Sequence, residues 1–574
     1  DKGGETTADV APRPILITAR LKEVADGSTS LRLEWPTQQG WKHKVVPRGT
    51  VMDARSLVSM AAFDAPVHSD NMSKMVRFLA EFEAYNADVL PETRVSSVMG
   101  WQGPKYDTFL WGRNLLRAGS AEDGQAVEGL DSTSLTPGDL YFLADEGASE
   151  LADAFRLAGT WEGWLGAAKA AEPYASAWLS LYAAVVPPVM PFLPTLKNFV
   201  LDISGETSRG KTTSLRLAGS AWGSPDERAG GVVRTWDSTR VWRERAAGAL
   251  GHLPLMLDDT KRARRREDVG QFIYDVASGS GRGRGTTTGM RDTVRYHTVL
   301  ISTGEAPITS FTTDGGTSAR TLCLWGSPFG GADAATVAAV DKINRVVLEH
   351  HGHLGPRVVQ WLIEDPEAST FVRAAYAAAS DRWAAKASGN PVATRAAQYI
   401  AALEVAGRIV HERMKVPAPT SSPLEHAWDA VRSASTEADR ASDALREVLS
   451  WAVRHQERFF GRAEARDDNP EPKPGGCHSR HIQEPPAAGW LGAWQAGDGW
   501  TRLAILSKDL REVLQRQDYD SEAILRTWND RGWLLTESGR HTRKVTVGLR
   551  KGRCVVVTRT ACELVEDAGT RTDT

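Results

Sequence analysis

The sequence predicts a multi-domain α/β fold: a core with a parallel sheet, an α+β domain before it, a helical segment after it, and a C-terminal winged helix. Three observations predict it. The chain has 574 residues, enough for several cores at roughly 100 to 200 residues per domain. Between about residues 185 and 330, apolar strand-like runs alternate with helical patterns, as parallel strands joined by crossover helices require. Beyond the Pro/Gly/Asp stretch ARDDNPEPKPGG, two or three helical patterns precede RGWLLTES, TRKVTVGLR and GRCVVVTRT, which read as strands.

Composition limits what the chain can be. Apolar residues make up 41% and charged residues 25%, an ordinary globular mixture, and 69 Lys+Arg against 72 Asp+Glu leave a net charge of −3. A globally basic nucleic-acid or membrane binder is excluded, so any such contact must come from local charge. Cys323, Cys477, Cys554 and Cys562 have no CxxC spacing and suit a reducing cytosol, which predicts a cytoplasmic protein. The chain opens at Asp1 on a polar stretch without a signal-peptide pattern.

Taken in order, residues 12–140 form the N-terminal α+β domain, with short alternating runs (ILITARL, SLRLEW, KHKVVP), a helical period over 75–86 and a loop over 112–140. Residues 141–330 form the α/β core, which opens with a helical pattern. The stretch between Glu172 and Lys197 carries no charge and is long enough for a bilayer. Pro187, Pro188, Pro191 and Pro194 break it, so we read a buried helix over 173–186 and then an extended loop, not a membrane span. Residues 331–465 are Ala-rich and helically periodic and read as a lid or bundle. Residues 466–488 form a linker and 489–565 the winged helix.

The chemistry concentrates in the core. The strand-like run NFVLDIS (198–204) leads into Gly205, Glu206, Thr207, Ser208, Arg209, Gly210, Lys211, Thr212 and Thr213, a GxxxxGK[ST] match that opens a helical pattern. The glycines let backbone N–H groups face phosphate oxygens, Lys211 reaches the β/γ-phosphates, and Thr212 can ligate Mg²⁺. A Gly-rich turn without a nucleotide is the alternative. Some 45 residues on, LPLMLDD supplies an apolar strand ending in Asp258, a second Mg²⁺ ligand, and Asp259, which would position the attacking water. Glu is usual at that second position, and Asp is one methylene shorter. A third strand, YHTVLI (296–301), ends in Ser302, Thr303, Gly304 and Glu305. Ser302 or Thr303 would have to sense the γ-phosphate where Asn is usual. Arg320, before the strand 321–325, is a candidate arginine finger for a neighbouring subunit's site; a surface salt bridge is its alternative.

Residues 261–297 hold nine Lys/Arg against four acids, a local charge of +5, and include a Gly/Arg loop with Arg282 and Arg284, followed by Arg291. Glycines allow close approach to a sugar-phosphate backbone, and arginines neutralise phosphates without sequence preference. Residues 540–553 carry six basic residues and no acid, among them Arg543 and Lys544, on the expected wing. Such a wing contacts DNA phosphates or docks protein. Two His-containing clusters, Cys477/His478/His481 and His350/His351/His353, lack paired zinc spacing.

In the blocks GETSRGKTTSLRLAGSAWG, TWDSTRVWRERAAG, LPLMLDD, YDVASGSGRGRG, RYHTVLISTGE, GTSARTLCLW and HHGHLGP, the sequence resembles a family of phage and mobile-element P-loop ATPase domains of unknown function. These are helicase-like and related to self-loading helicases with a minichromosome-maintenance-like AAA+ core. The resemblance covers about residues 12–460, with a similar winged helix beyond. It implies an ATP- and Mg²⁺-dependent helicase or translocase acting on single-stranded or forked DNA as a ring, with a hexamer as the expected assembly. It also implies Glu244 as a recurrent family Glu and Arg395 as a second sensor in the lid. Asp259 and the arginines after it depart from the family pattern. An ATP-binding switch or scaffold without unwinding activity is the rival reading, and a protein-remodelling ATPase is disfavoured by the Gly/Arg loop.

Overall fold

The computed structural model describes residues 10–119, 125–126, 139–143, 146–193, 195–207, 210–228, 230–280, 284–286, 289–291, 295, 297–311, 319–331, 333–387, 390–437, 440–460, 486–497, 499–517, 519–537, 540–548 and 550–570. It is a multi-domain α/β structure whose contacts divide into two units, Asp1–Val431 and Arg432–Thr574.

The first unit opens with β1 (Leu16–Glu23), β2 (Thr29–Thr37) and β3 (Gly40–Pro47), then helix α1 (Met72–Tyr85) and β4 (Glu92–Ser96). With β9 (Leu140–Phe142) these make a sheet of order β3-β2-β1-β4-β9. Ile17 of β1 lies in one core with Leu31, Leu33 and Trp35 of β2 and Met75 and Leu79 of α1, and a bulge between Ile17 and Ala19 turns Ala19 and Leu21 to the other face, where they pack with Val95 and Tyr141. A second, antiparallel sheet consists of β5 (Gly100–Trp101), β6 (Thr108–Trp111), β7 (Asn114–Arg117) and β8 (Gln125–Ala126). The loop expected from residue 112 on thus contains strand β7, whose Leu115 and Leu116 are buried. Its four residues are too few to show an alternation.

Three helices follow: α2 (Glu146–Asp153), α3 (Trp161–Ala171) and α4 (Ala175–Val189). Helix α4 and the turn after it are apolar and long enough to cross a membrane, yet 83% of the Ala175–Phe192 window is buried inside the protein. The helix also continues through Pro187 and Pro188, where we expected an extended loop. Proline at 188 cannot bond the carbonyl of Ala184, and that oxygen accepts instead from Trp222 Nε1 at 2.8 Å. Tertiary packing thereby makes up for a bond the helix lacks.

The core sheet contains β10 (Phe199–Ser204), β11 (Val233–Thr235), β12 (Leu255–Asp258), β15 (Val299–Gly304) and β16 (Thr321–Trp325), all parallel, in the order β11-β12-β15-β10-β16. Every residue of β10 and β15 is buried, as expected of central strands covered on both faces. Around the sheet lie α5 (Lys211–Ser220), α6 (Arg240–Leu250) and α7 (Arg266–Ser278), and β13 (Arg284–Thr286) pairs with β14 (Gly289–Arg291) in a hairpin. The helical part then runs through α8 (Ala334–Glu349), α9 (Leu354–Glu364), α10 (Ala368–Lys386) and α11 (Pro391–Arg408).

The second unit contains α12 (Arg440–Arg454), which the sequence pattern had grouped with the preceding helices. Its buried Ala444, Leu445 and Val448 share a core with Leu510, Leu525 and Trp528, and Trp528 Nε1 donates to Ala441 O at 2.8 Å. The unit is a small winged-helix-like arrangement. Helices α13 (Ser507–Arg516) and α14 (Ser521–Asp530) sit beside a sheet of β17 (Phe459–Phe460), β18 (Gly492–Gly497), β19 (Gly499–Leu506), β20 (Arg543–Val547) and β21 (Arg550–Thr558). Cys477, His478 and His481 and most of the expected linker lie outside the described residues.

Candidate functional site

The site is built where central strand β10 gives way to α5, at the carboxyl edge of a parallel sheet, the edge at which such sheets present their ligand crevices. Gly205 N donates to Gly304 O at 3.1 Å, and Gly326 N donates to Ser204 O at 2.8 Å, so the loop leaves the sheet in fixed register. Gly210 caps α5 with φ +80°, and a Cβ there would lie 2.6 Å from Phe329 Cδ2. Only glycine satisfies both limits. No side chain among the described residues caps the N-terminus of α5, so its first N–H groups and positive end face the loop.

Lys211 Nζ donates to the carbonyls of Gly205 at 2.8 Å and Glu206 at 2.6 Å, which folds the ammonium over the loop. Burial pulls its pKa down, while Glu305, Asp258 and Asp259 oppose that pull. Thr212 Oγ1 donates to Asp258 Oδ1 at 3.1 Å, and Thr303 Oγ1 donates to the same oxygen at 2.6 Å. Burial raises the pKa of Asp258, and these two hydroxyls counter the rise. A helix, a strand end and the strand between β10 and β12 thus converge on one carboxylate. Thr207 Oγ1 donates to Glu305 Oε1 at 2.6 Å. Thr213 turns the other way and accepts from Asn344 Nδ2 of α8 at 3.0 Å. Ser208 and Arg209 lie outside the described residues.

Ser302 and Thr303 belong to β15 itself and point to opposite faces. Ser302 is fully buried and accepts from Trp236 Nε1 at 3.1 Å, so only Thr303 faces the Asp258 side. Asp259 adopts a left-handed backbone (φ +61°); its N–H donates to Thr303 Oγ1 at 2.9 Å and its carboxylate caps the next turn by accepting from Lys261 N at 3.2 Å.

Arg320 lies at the opposite edge of the sheet. Its carbonyl accepts from Val200 N at 3.0 Å, near the start of β10, and its guanidinium sits 5.9 Å from the centroid of the Tyr274 ring. Four further residues of strand separate Val200 from the loop, about 13 Å at ~3.3 Å each, so Arg320 lies well away from its own chain's loop. Arg395 lies one helical turn before Tyr399, whose ring stacks on Phe199 at 4.8 Å. Burial pushes the Tyr399 phenol up to about 12, with Arg395 and Arg320 both acting against the rise.

The Gly/Arg loop read over 279–285 runs into the β13–β14 hairpin, with positions 284 and 291 paired directly opposite each other. Its glycines concealed the strands. Arg282 lies outside the described residues. Glu244 is buried and pairs with Arg240 at 3.3 Å; Arg240 reaches Asp275 of α7 at 2.6 Å, so this Glu belongs to a tie between α6 and α7. His350 Nδ1 accepts from Thr160 N at 3.0 Å, and His353 Nε2 lies 2.9 Å from Ala158 O, so these histidines join α8 and α9 to the loop before α3. In the second unit the β20–β21 hairpin sets Lys544 directly opposite Arg553, both exposed. Like charges placed so disfavour the hairpin unless an anion lies between or beside them. Arg543 pairs with Cys554 in the same ladder.

Two site residues escaped the sequence reading. Glu305 was visible as the acid ending SerThrGlyGlu but received no role, and Asp202 was visible as a charge inside the apolar run NFVLDIS. Asp202 is fully buried on β10, and its Oδ2 accepts from Ile308 N at 2.9 Å.

Residues 1–295 match the family model described as Domain of unknown function (DUF927), just over half of the 574-residue chain. Residues 478–561 match the model described as Cch helix turn helix domain. Among solved structures the chain is similar to "SCCmec type IV Cch - active helicase", with a TM-score of 0.66 and 17% identity over 96% of this chain and 95% of that one. At that identity the likeness is one of fold. No curated protein matches the chain.

Proposed function

The chain belongs to the family defined by Domain of unknown function (DUF927), and from that premise we propose that it is an ATP-dependent DNA helicase or translocase of a mobile element, with an AAA+ core working as a ring. The observation that carries the reading is the convergence of Lys211, Thr212, Asp258 and Thr303 on the carboxyl edge of one parallel sheet, with β15 between the two strands that hold the loop and the acid. The fold likeness to a helicase and the match to a Cch-type helix-turn-helix support it.

The residues present fit a magnesium nucleotide. The hydroxyl of Thr212 and the carboxylate of Asp258 are hard oxygen donors 3.1 Å apart, suited to Mg²⁺. When bound, Mg²⁺ neutralises charge on the phosphate oxygens. The residues from Gly205 to Thr213 form the nucleotide loop: its N–H groups and the α5 N-terminus hold the phosphates, and the Lys211 ammonium exchanges the Gly205 and Glu206 carbonyls for phosphate oxygens. Thr303 holds Asp258 in orientation and reports its position to β15. Arg320 serves a neighbouring copy's site, since it lies well away from its own. Asp259 Oδ1 caps the next turn through Lys261 N, which leaves Oδ2 to position water. Arg282, Arg284 and Arg291 and the wing residues Arg543 and Lys544 contact the sugar-phosphate backbone.

The second reading, an ATP-binding oligomeric switch without unwinding activity, is favoured by one observation: Asp259, where Glu is usual, stands on a left-handed backbone with one carboxylate oxygen capping a turn. Measuring ATPase activity and fork unwinding with and without single-stranded DNA, on material whose oligomeric state in nucleotide is known, separates the two. Helicase action requires DNA-stimulated hydrolysis that disappears in Lys211→Ala, together with strand displacement. Hydrolysis unchanged in Lys211→Ala overturns both readings, and nucleotide-driven assembly without strand displacement selects the switch.

A further inference from the structure

The three acids at the carboxyl edge of the core sheet differ in what they are free to do. Asp258 is engaged by Thr212 and Thr303 and holds the position of a metal ligand. Asp259 sits on a left-handed backbone, and its Oδ1 accepts from Lys261 N at 3.2 Å. Glu305 directly follows β15, whose last residue, Gly304, pairs with Ser204 and accepts from Gly205 N at 3.1 Å, so it emerges at the level of the nucleotide loop. Its Oε1 accepts from Thr207 of that loop at 2.6 Å and its Oε2 from Lys261 Nζ at 3.0 Å. The side chain is 38% exposed and therefore open to water. The bonds from Thr207 and Lys261 hold the carboxyl below its ordinary pKa, so it is anionic at neutral pH. Glu also has the extra methylene that Asp259 lacks.

We propose that Glu305, rather than Asp259, is the carboxylate that orients the attacking water and accepts its proton. The proposal rests on the nucleotide-hydrolysis reading above. In the step, the water oxygen forms a bond to the γ-phosphorus as the bond from that phosphorus to the bridging oxygen breaks. ADP leaves with the bond's electron pair, and the water proton passes to Glu305 and on to the released phosphate. Thr207 and Lys261 act as positioning residues that hold the carboxylate beside the loop.

The test uses the full chain in five forms: wild type, Lys211→Ala, Glu305→Gln, Asp259→Asn and Thr207→Val. It reads kcat and KM for ATP together with the affinity for a fluorescent ADP with Mg²⁺. Glu305→Gln, nearly isosteric, should lower kcat by about 100-fold or more while ADP affinity stays within about threefold, and Asp259→Asn should lower kcat by less than about tenfold. Thr207→Val should give an intermediate loss. ADP affinity doubles as the check that each variant is folded. The proposal is overturned if Glu305→Gln keeps kcat within about threefold, if Asp259→Asn loses at least as much, or if ADP affinity falls in step with kcat. Failure of the underlying reading is distinct: the wild type then shows no hydrolysis that depends on Lys211, and both claims fall together.

Discussion

The two edges of the core sheet are made by the same five strands yet present opposite chemistry. At the carboxyl edge, Thr212 and Thr303 share the Asp258 carboxylate, Glu305 accepts from Thr207, and Lys211 folds over the loop carbonyls beside the start of α5. At the amino edge lie ring stacks: Phe199 on Tyr399 at 4.8 Å, His252 on His297 at 5.0 Å with 6° between planes, and Arg320 over Tyr274. Backbone direction accounts for part of this, because in a parallel sheet all strand ends of one kind lie at one edge and connect to helix N-termini there. Under the proposed function, a triphosphate sits at the carboxyl edge and Arg320, at the other edge, contributes to a different copy.

The largest expected effect breaks that comparison directly. Arg320→Ala and Lys211→Ala should each lose about 10³-fold of the ATPase activity. Mixed in equal amounts under conditions that allow subunit exchange, they should recover activity, because about a quarter of interfaces then pair an intact loop with an intact finger. Mixtures no more active than the separate variants would place Arg320 in a role within its own chain. A smaller effect sharpens the contrast between the carboxyl edge and the basic hairpin. Replacing Arg284 and Arg291 together by Ala should weaken single-stranded DNA binding by about tenfold and flatten its salt dependence, with basal ATPase unchanged. DNA affinity and salt slope equal to wild type would remove the β13–β14 hairpin from the DNA path.

What the sequence disclosed follows the same division. The runs NFVLDIS and LPLMLDD and the GxxxxGK loop are local patterns, and strands β10 and β12 and helix α5 lie on them. Register is not local. Only the pairing of β15 with β10 and β12 reveals that Ser302 turns to Trp236 while Thr303 turns to Asp258, and that Glu305 meets Thr207. Long-range packing also overrode local expectation. Helix α4 passes through Pro187 and Pro188 because Trp222 takes the freed carbonyl, and α12 joins the C-terminal core because its apolar face meets Trp528. A hairpin of Arg, Gly and Thr residues carries no hydrophobic alternation to announce it.

The smallest effect concerns the interior between the edges, where Asp202 stands on the central strand with Ser302 and Cys323 beside it in register. Burial pushes its carboxyl up to about 7, and hydrogen bonds from Ile308 N and nearby side chains offset only part of the rise. Below pH 7 the folded chain thus holds a proton that the unfolded chain has released above its ordinary value of 3.8. Stability from this group is therefore present in acid and declines as pH rises between those values, by a few kcal/mol at most at roughly 1.4 kcal/mol per unit. Asp202→Asn keeps an oxygen for Ile308 N but cannot ionise. The variant's Tm, relative to wild type, should accordingly be higher at pH 8 than at pH 5, with the two melting curves converging in acid. Wild-type and variant Tm values that stay parallel across this range would mean that Asp202 keeps one protonation state throughout, and the buried row between the two edges would then be electrostatically inert.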